Sequence, residues 1–171
     1  MKTCIVVFGN IASGKSTFSR QLLEHFPDYR HICIDNFRLE AATRTNLLPI
    51  QREKLAKKLC LEAINQADSI ILETTAASQF WETMWFALRQ VGFKIMSVKI
   101  DCPVNICVQR FNNRKFEGHK SVVPPFKTKS IVQMMYDIEY KRKLVKADIV
   151  IHSATASPED MVASFLNFVI L

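Results

Sequence analysis

The sequence predicts a three-layer α/β sandwich, in which a five-stranded parallel sheet carries helices on both of its faces. Two observations predict this fold. Short apolar runs alternate with helical patterns along the whole chain, and the links between them are short. Because parallel strands need crossover connections, and these are usually helices, a chain with this pattern covers both faces of one sheet.

Each strand is predicted from a short apolar run that stops at a turn-forming or polar residue. The five runs are TCIVVF at 3–8, YRHICI at 29–34, SIILE at 69–73, KIMSVKI at 94–100 and ADIVIH at 147–152. Ligands of such sheets bind at the carboxyl ends of the strands. The polar residues that follow these runs are therefore candidates for a functional site.

The helices are predicted from the helical spacing of apolar residues and from residues that start or stop helices. Ser78 is a predicted N-cap, Gly92 a C-terminal stop, and Asp101 with Pro103 the start of another helix. The predicted helices span 15–26, 36–43, 50–67, 78–91, 101–114, 128–144 and a last stretch that begins at 157. Residues 115–126 are predicted to form a loop.

Length and composition predict one globular domain over residues 1–171, since the chain is 49% apolar and 23% charged. No apolar run approaches the ~18–20 residues that span a bilayer. The short apolar run at 3–8 leads into a glycine-rich loop and not into a cleavage site. Five cysteines without CxxC spacing and four scattered histidines favour reduced thiols over disulfides or zinc. We therefore expect a cytoplasmic protein without a membrane partner, and the oligomeric state stays open.

The net charge of +7 suggests an anionic partner. The basic excess lies in the C-terminal half, at Arg110, Arg114, Lys115, Lys120, Lys127, Lys129, Lys141, Arg142, Lys143 and Lys146. Nucleotide phosphates alone could account for the charge, and nucleic acid is a possible partner. The run 141–143 is predicted to be plain surface, or part of an electrostatic path for polyanions.

A glycine-rich loop follows the first strand and leads directly into the first helix. Its glycines let the backbone curl and aim several N–H groups at one anion, and the helix adds its positive N-terminal end. Lys15 is predicted to reach the β and γ phosphates, and the Ser16 hydroxyl to join the shell of Mg²⁺. The predicted nucleotide-binding residues are Gly9, Asn10, Ile11, Ala12, Ser13, Gly14, Lys15, Ser16 and Thr17.

Two further strand ends carry candidate catalytic residues. Asp35 could accept a proton from an attacking hydroxyl, and Arg38, one helical turn on, could clamp an acceptor phosphate. The alternative is an N-cap aspartate beside a solvated arginine, and the neighbouring phosphate loop favours the functional interpretation. Glu73 is expected to order water on Mg²⁺. Thr74 and Thr75 are possible hydroxyl contacts to the acceptor.

Arg110 and Arg114 lie four residues apart on one predicted helix face, before a loop that contains glycine. Arginines at this spacing could fold over a triphosphate and exclude water, which predicts a lid at about 110–126. The alternative is a solvated basic face. The position after the fourth strand favours the lid.

Four segments together resemble the P-loop kinase superfamily in its nucleoside-monophosphate-kinase-like branch: GNIASGKST, IDNFR, ILETT and RFNNR…VVPPFKTKSIVQMMYDIEY. The resemblance is closest to the kinase domain of phage-type 5′-polynucleotide kinases, with zeta-toxin-like small kinases next. It implies a P-loop NTPase fold, ATP and Mg²⁺ as cofactors, Asp35 as general base, Arg38 as clamp, and Arg110 or Arg114 as the lid arginine. The chain departs from the pattern at Asn36, where an acidic residue often follows the base, and at Glu73, where an aspartate is common.

The function predicted first is ATP-dependent phosphoryl transfer to a hydroxyl, with a polynucleotide 5′-hydroxyl or a nucleoside or nucleotide as acceptor. One alternative is a small-metabolite kinase of the zeta-toxin-like kind. The other is a non-catalytic protein that senses ATP as a switch. Against the switch, the sequence has no threonine-bearing switch segment and no Asn/Thr-Lys-x-Asp motif that reads guanine.

Overall fold

A computed structural model describes residues 1–44, 46–116 and 130–170 of the chain. One or two helices follow each strand through these residues. In chain order they are β1 (Thr3–Gly9), α1 (Lys15–His25), β2 (Arg30–Cys33), α2 (Ile34–Ala42), α3 (Pro49–Asn65), β3 (Ser69–Thr74), α4 (Gln79–Gln90), β4 (Lys94–Asp101), α5 (Val104–Phe116), α6 (Ile131–Arg142), β5 (Ile149–His152) and α7 (Pro158–Ile170).

The strands form one parallel sheet in the order β2-β3-β1-β4-β5, which confirms the predicted fold class. β1 is the central strand. Val7 pairs with Glu73 of β3 on one side, and Gly9 pairs with Ile100 of β4 on the other. The loop after β1 therefore leaves the middle of the sheet, with the carboxyl ends of β3 and β4 beside it.

Alternate residues of β1 pack into two cores, because successive side chains of a strand point to opposite faces. Val6 and Phe8 belong to the core beneath α3 and α4. Val7 belongs to the core beneath α1 and α7, where the rings of Phe18 and Phe165 meet edge to face at 5.9 Å. A third core joins the phosphate loop to the last helices before β5: its buried residues are Ala12, Cys102, Cys107, Phe111 and Met135.

Helix ends follow the signals in the sequence at two predicted positions. The Ser78 side chain accepts a hydrogen bond from the Trp81 amide at 3.3 Å and caps α4. Gly92 adopts a φ of +82° just after the same helix, a conformation that costs little only for glycine. No helix within the described residues is long and apolar enough to cross a bilayer.

Several element boundaries differ from those that the sequence predicted. α2 begins at Ile34 and not at 36, so Asp35 lies in its first turn. β3 continues to Thr74, one residue beyond the predicted end of the strand at Glu73. α5 continues to Phe116, which makes the first two residues of the predicted loop 115–126 helical. The rest of that loop, 117–126, lies outside the described residues.

The later elements are shorter than predicted. β5 begins at Ile149 and not at 147. Asp148, just before it, contacts β4 in two ways. Its side chain accepts hydrogen bonds from the Ser97 amide and hydroxyl, both at 2.7 Å, and its backbone amide donates to the Ser97 carbonyl oxygen at 2.9 Å. α6 begins at Ile131 behind a capping box formed by Ser130 and Gln133, and it ends at Arg142.

Candidate active site

The glycine-rich loop at residues 9–17, the predicted phosphate loop, has a backbone path that requires glycine at two positions. A Cβ on Gly9 would lie 2.5 Å from the carbonyl oxygen of Ile100 and 2.7 Å from Ser13 Oγ. Gly14 has a φ of +101° where α1 begins. Ala12 is also left-handed, with a φ of +59°, a conformation that costs an L-residue roughly 1–2 kcal/mol. The loop is therefore built for close approach and stores some backbone strain.

Lys15 curls back over this loop. Its Nζ donates a hydrogen bond to the Asn10 carbonyl oxygen at 2.6 Å, and the side chain is buried. Burial lowers the pKa of Lys15, while the carboxylates of Glu73 and Asp35 act to raise it. Both carboxylates are thus near enough for their charge to act on Lys15. The structure brings together three residues that the sequence predicted from separate segments.

Glu73 stands at the centre of the site, buried at the end of the strand next to β1. Its Oε1 accepts a hydrogen bond from Ser16 Oγ at 2.5 Å, and its Oε2 lies 3.2 Å from His31 Nε2. Burial acts to raise the pKa of Glu73. The hydrogen bond from His31, the charge of Lys15 and the Ser16 contact outweigh burial, and the pKa is lowered. The side chain is therefore a carboxylate.

The donor set fits Mg²⁺, which prefers oxygen ligands and keeps several waters. The Ser16 hydroxyl and the Glu73 carboxylate supply such oxygens side by side. Within the described residues, no group of three or more His, Cys, Asp or Glu side chains could hold a metal by itself. Water and phosphate oxygens would have to complete the shell. His31, which sequence reasoning missed, is a polar residue inside an apolar strand run, and that was the available signal.

Asp35 and Arg38 meet at the start of α2, but neither takes the alternative role considered from the sequence. The N-cap of α2 is Cys33, without a side-chain hydrogen bond, and Asp35 lies in the first turn with its side chain about half exposed. Arg38 Nη1 donates to Asp35 Oδ1 at 3.3 Å. Arg38 is not a solvated arginine, since only 25% of its side chain is exposed.

Arg38 is held chiefly by Glu53 of α3. Its Nη2 and Nε donate to the two Glu53 carboxylate oxygens at 2.8 and 3.2 Å, and the guanidinium lies 5.0 Å from the centre of the Phe80 ring. Burial acts to lower the pKa of Arg38, but the contacts with Glu53 and then Asp35 raise it. Glu53 was missed because no pattern in the sequence of α3 marks this glutamate as facing α2.

Arg110 and Arg114 have different surroundings. Arg110 Nη2 donates to the Ser153 carbonyl oxygen at 2.6 Å, and its Nη1 lies 3.5 Å from the carbonyl oxygen of Ser13. Ser153 Oγ in turn donates to that same Ser13 oxygen at 2.6 Å. Arg110 therefore joins the loop after β5 to the phosphate loop. Arg114 is exposed. The lid role of either arginine stays a prediction.

Arg142 corrects the prediction that the run 141–143 is plain surface. It is 1% exposed, its Nη2 pairs with Glu139 Oε2, and it lies 4.0 Å from Asp101 Oδ1. Lys141 and Lys143 on either side are exposed, as predicted. The helical period was the available signal, because Met135, Glu139 and Arg142 lie at i, i+4 and i+7 on one face of α6.

Asp101, the last residue of β4, collects cations at the same end of the sheet. Its Oδ1 lies 2.9 Å from Lys99 Nζ, and its Oδ2 lies 3.3 Å from Nδ1 of His152 on β5. Burial acts to raise the pKa of Asp101, but Lys99, Arg142 and His152 outweigh it and hold the pKa below its ordinary value of 3.8. This carboxylate links the last two strands of the sheet to α6.

The comparisons with known proteins agree with this fold. A family profile described as AAA domain matches residues 4–136. No curated protein matches the chain in sequence.

Among solved structures, the chain is similar to shikimate kinase from Bacteroides thetaiotaomicron, with a TM-score of 0.68 and 16% identity over 99% of each chain. A gluconokinase from Sinorhizobium meliloti gives a TM-score of 0.64 and 16% identity over 96% of this chain and 90% of that one. The Pnkp1/Rnl/Hen1 RNA repair complex gives 0.64 and 19%, over 85% of this chain and 46% of that one. The predicted P-loop kinase fold is confirmed, and the phage polynucleotide kinase branch stays a prediction.

Gly9→Ala tests whether the close approach at the loop is needed. The added Cβ would overlap the Ile100 carbonyl, so we expect the free energy of unfolding to fall by about 1–3 kcal/mol and nucleotide affinity to drop. Urea unfolding and calorimetric titration with ADP measure both. The matched control is Gly92→Ala, where a Cβ meets nothing within 4 Å and only the positive φ costs roughly 1–2 kcal/mol. Full ADP affinity in Gly9→Ala would show that nucleotide binding does not need the close approach of the backbone at Gly9.

Asp101→Asn tests the charge cluster through the pH dependence of stability. Because the pKa of Asp101 is lowered in the folded protein, its contribution is present above 3.8 and is lost as the pH falls through the folded value. We therefore expect the variant to be less stable at pH 7, and the two proteins to converge as the pH falls below 3.8. Urea unfolding over a pH series measures this difference. Asp68→Asn, which removes an exposed carboxylate, should show no such convergence. A constant gap for Asp101→Asn would refute the cluster's role.

Proposed function

This chain belongs to the AAA domain family, and on that premise we propose that it is an ATP-dependent phosphotransferase that moves the γ-phosphoryl group of ATP to a hydroxyl. One observation carries the proposal. A buried lysine on a phosphate loop lies within the electrostatic reach of two carboxylates, the buried Glu73 and the half-exposed Asp35. A phosphate-binding group and a candidate base thus share one end of the sheet.

The nucleotide half of the site would be the loop from Gly9 to Thr17. Its backbone amides and Lys15 would bind the phosphates, with Lys15 exchanging the Asn10 carbonyl for phosphate oxygens. Ser16 and, through water, Glu73 would hold Mg²⁺, which neutralises phosphate charge. His31 keeps the second oxygen of Glu73 in place from the neighbouring strand. Arg110 supports the loop through the backbone of Ser13 and Ser153.

Asp35 would act as the general base. Its carboxylate accepts the proton of the attacking hydroxyl while the acceptor oxygen forms a bond to the γ-phosphorus. The bond from that phosphorus to the oxygen bridging the β phosphate breaks, and ADP leaves with the electron pair. An exposure of 48% leaves the carboxylate open to an acceptor, in contrast to the buried Glu73. The two carboxylates would therefore have different roles.

We propose a polynucleotide 5′-hydroxyl, or a nucleoside or nucleotide, as the acceptor, with a preference for those acceptors that carry a phosphate. Support comes from Arg38, a guanidinium one helical turn from the proposed base. An arginine fork binds phosphate by two parallel hydrogen bonds, as it now binds Glu53. The Pnkp1 RNA repair complex is one of the similar structures.

A small metabolite without phosphate is the second candidate acceptor. The Arg38–Glu53 contact favours it, because the donors of Arg38 are already satisfied by carboxylates. The similar chains of nearly equal length are kinases of small molecules by their names, shikimate kinase and gluconokinase. In either case we place the protein in the cytoplasm, where ATP is available and its five free thiols stay reduced.

The test uses γ-labelled ATP with the purified protein and a panel of acceptors: a 5′-hydroxyl oligonucleotide, nucleosides, nucleotides and sugars. Label on the oligonucleotide or on a nucleotide supports the phosphate-bearing acceptor. Label on a sugar alone supports the metabolite kinase. ATP binding without any labelled product, or with release of phosphate to water only, would overturn the proposed phosphotransfer. That result would favour the alternative of a protein that senses ATP as a switch.

Lys15→Ala should abolish transfer, since it removes the buried lysine that the loop would present to the phosphates. We expect a loss of about 100-fold or more in transfer rate, the size seen for a single charge-stabilising donor. Lys58→Ala is the control, because Lys58 is an exposed lysine on α3 that pairs with Glu62. Urea unfolding confirms that both variants fold. Unchanged transfer in Lys15→Ala would reject the phosphate-loop assignment.

Asp35→Asn should separate chemistry from binding. An amide cannot accept the proton, so we expect the transfer rate to fall by about 10²–10⁴-fold while ATP affinity is kept. Glu40→Gln, on the exposed side of the same helix, should change neither quantity. Rate measurements at saturating ATP and calorimetric titration with ADP give the two numbers. If nucleotide affinity collapsed together with the rate, Asp35 would be part of the nucleotide or metal site and not the base.

A further inference from the structure

Arg142 is buried beside the phosphate loop with part of its hydrogen-bonding capacity unused. The residue is 1% exposed at the C-terminal end of α6. Its Nη2 pairs with Glu139, but its Nε and Nη1 are buried and have no hydrogen-bond partner among the described residues. Unpaired donors on a buried cation are costly, because water no longer solvates them. This position therefore needs a reason beyond packing.

The unused donors face the loop. An ideal Cβ placed on Gly9 would lie 3.4 Å from Arg142 Nη1 and 2.7 Å from Ser13 Oγ, so both groups surround the same open side of this glycine. Ser13 Oγ is also buried without a hydrogen-bond partner among the described residues. Two unsatisfied polar groups thus converge under the turn that begins the phosphate loop.

A second set of contacts ties the same arginine to the loop. Glu139 Oε2, which pairs with Arg142, also lies 3.4 Å from Asn10 Nδ2. The Asn10 amide donates to the Met135 carbonyl oxygen at 2.9 Å, and its Oδ1 accepts from the amide of Ile11 at 2.9 Å. Asn10 is the residue whose carbonyl holds Lys15. One face of α6 therefore fixes the turn from which the phosphate-binding lysine is held.

The charge of Arg142 also reaches the site, since it acts to lower the pKa of Lys15. Within the described residues, the guanidinium lies near the carboxylates of Glu139 on its own helix and Asp101 at the end of β4, and Lys99 and His152 contact Asp101. A polyphosphate on the loop would place negative charge near the unpaired Nε and Nη1 of Arg142. The buried guanidinium would therefore be more stable with a polyphosphate on the loop than without it.

We propose that Arg142 is a positioning residue of the phosphate loop, which supports the loop from α6 and supplies a buried positive charge that strengthens the binding of nucleotide di- and triphosphates. The inference rests on the proposed function, because it assumes that the loop binds nucleotide phosphates. It deepens that function by adding a residue that acts through Gly9, Asn10 and Ser13 and does not itself contact the acceptor.

The experiment compares the affinities of ADP and adenosine for Arg142→Met, measured by calorimetric titration. A residue that acts on phosphates should weaken ADP about ten-fold or more, the size of one hydrogen bond to a charged group, and should change adenosine affinity less than two-fold. Arg142→Lys, which keeps the charge but not the fork, should recover part of the ADP affinity. Lys143→Met removes a neighbouring exposed cation and should leave ADP affinity within about two-fold, since exposed charges are screened.

Equal weakening of ADP and adenosine would overturn the proposal and make Arg142 a structural residue only, as would full ADP affinity in Arg142→Met. If that variant does not fold, the double variant Glu139→Gln/Arg142→Met takes its place, because it removes both charges of the Arg142–Glu139 ion pair. The same results are expected of it. The assay also separates the two hypotheses. Failure of the unaltered protein to bind ADP refutes the proposed function, whereas binding that Arg142→Met leaves unchanged refutes this inference alone.

Discussion

The close contact between Gly9 and the end of β4 is the constraint on which the site depends. A Cβ added at this position would lie 2.5 Å from the Ile100 carbonyl oxygen and 2.7 Å from the Ser13 hydroxyl, so the backbone can take this path only without a side chain. Because β1 is the central strand, that contact fixes the loop between β3 and β4. Glu73 at the end of β3 then contacts Ser16, and Asp101 at the end of β4 lies near Arg142 of α6.

Three cations of the site already have protein partners. Lys15 is held by a carbonyl oxygen, Arg38 by two carboxylates, and Arg142 through its Nη2 by Glu139 near Asp101. A ligand that binds Lys15 or Arg38 must therefore exchange with these partners, whereas Nε and Nη1 of Arg142 have no partner among the described residues. Such exchange favours groups that carry several acceptor oxygens and more than one charge, as phosphates do, over a single carboxylate. The pairing of these cations thus favours phosphate ligands over single carboxylates and also fixes the positions of the side chains.

The fold was predictable because strand–helix alternation leaves few arrangements, and the loop because its glycines have a defined steric task. The first residue of α2 was not predictable. A carboxylate is favoured both at the N-cap and in the first turn, so Asp35 was compatible with either position. The contacts of Glu53 and His31 are tertiary and leave no local pattern. Arg142 was hidden by its exposed neighbours, since three consecutive cations are typical of a solvated surface.

Partial exposure of Glu53 would assist the binding of a phosphate by Arg38. Its strongest partner, Glu53, has 30% of its side chain exposed, so the released carboxylate can be hydrated where it stands. Asp35 lies 3.3 Å away on the other side and would keep part of the guanidinium in place during the exchange. The aromatic ring of Phe80 supports the cation from below in either state. A phosphate on the acceptor would therefore compete with Glu53 for the guanidinium of Arg38.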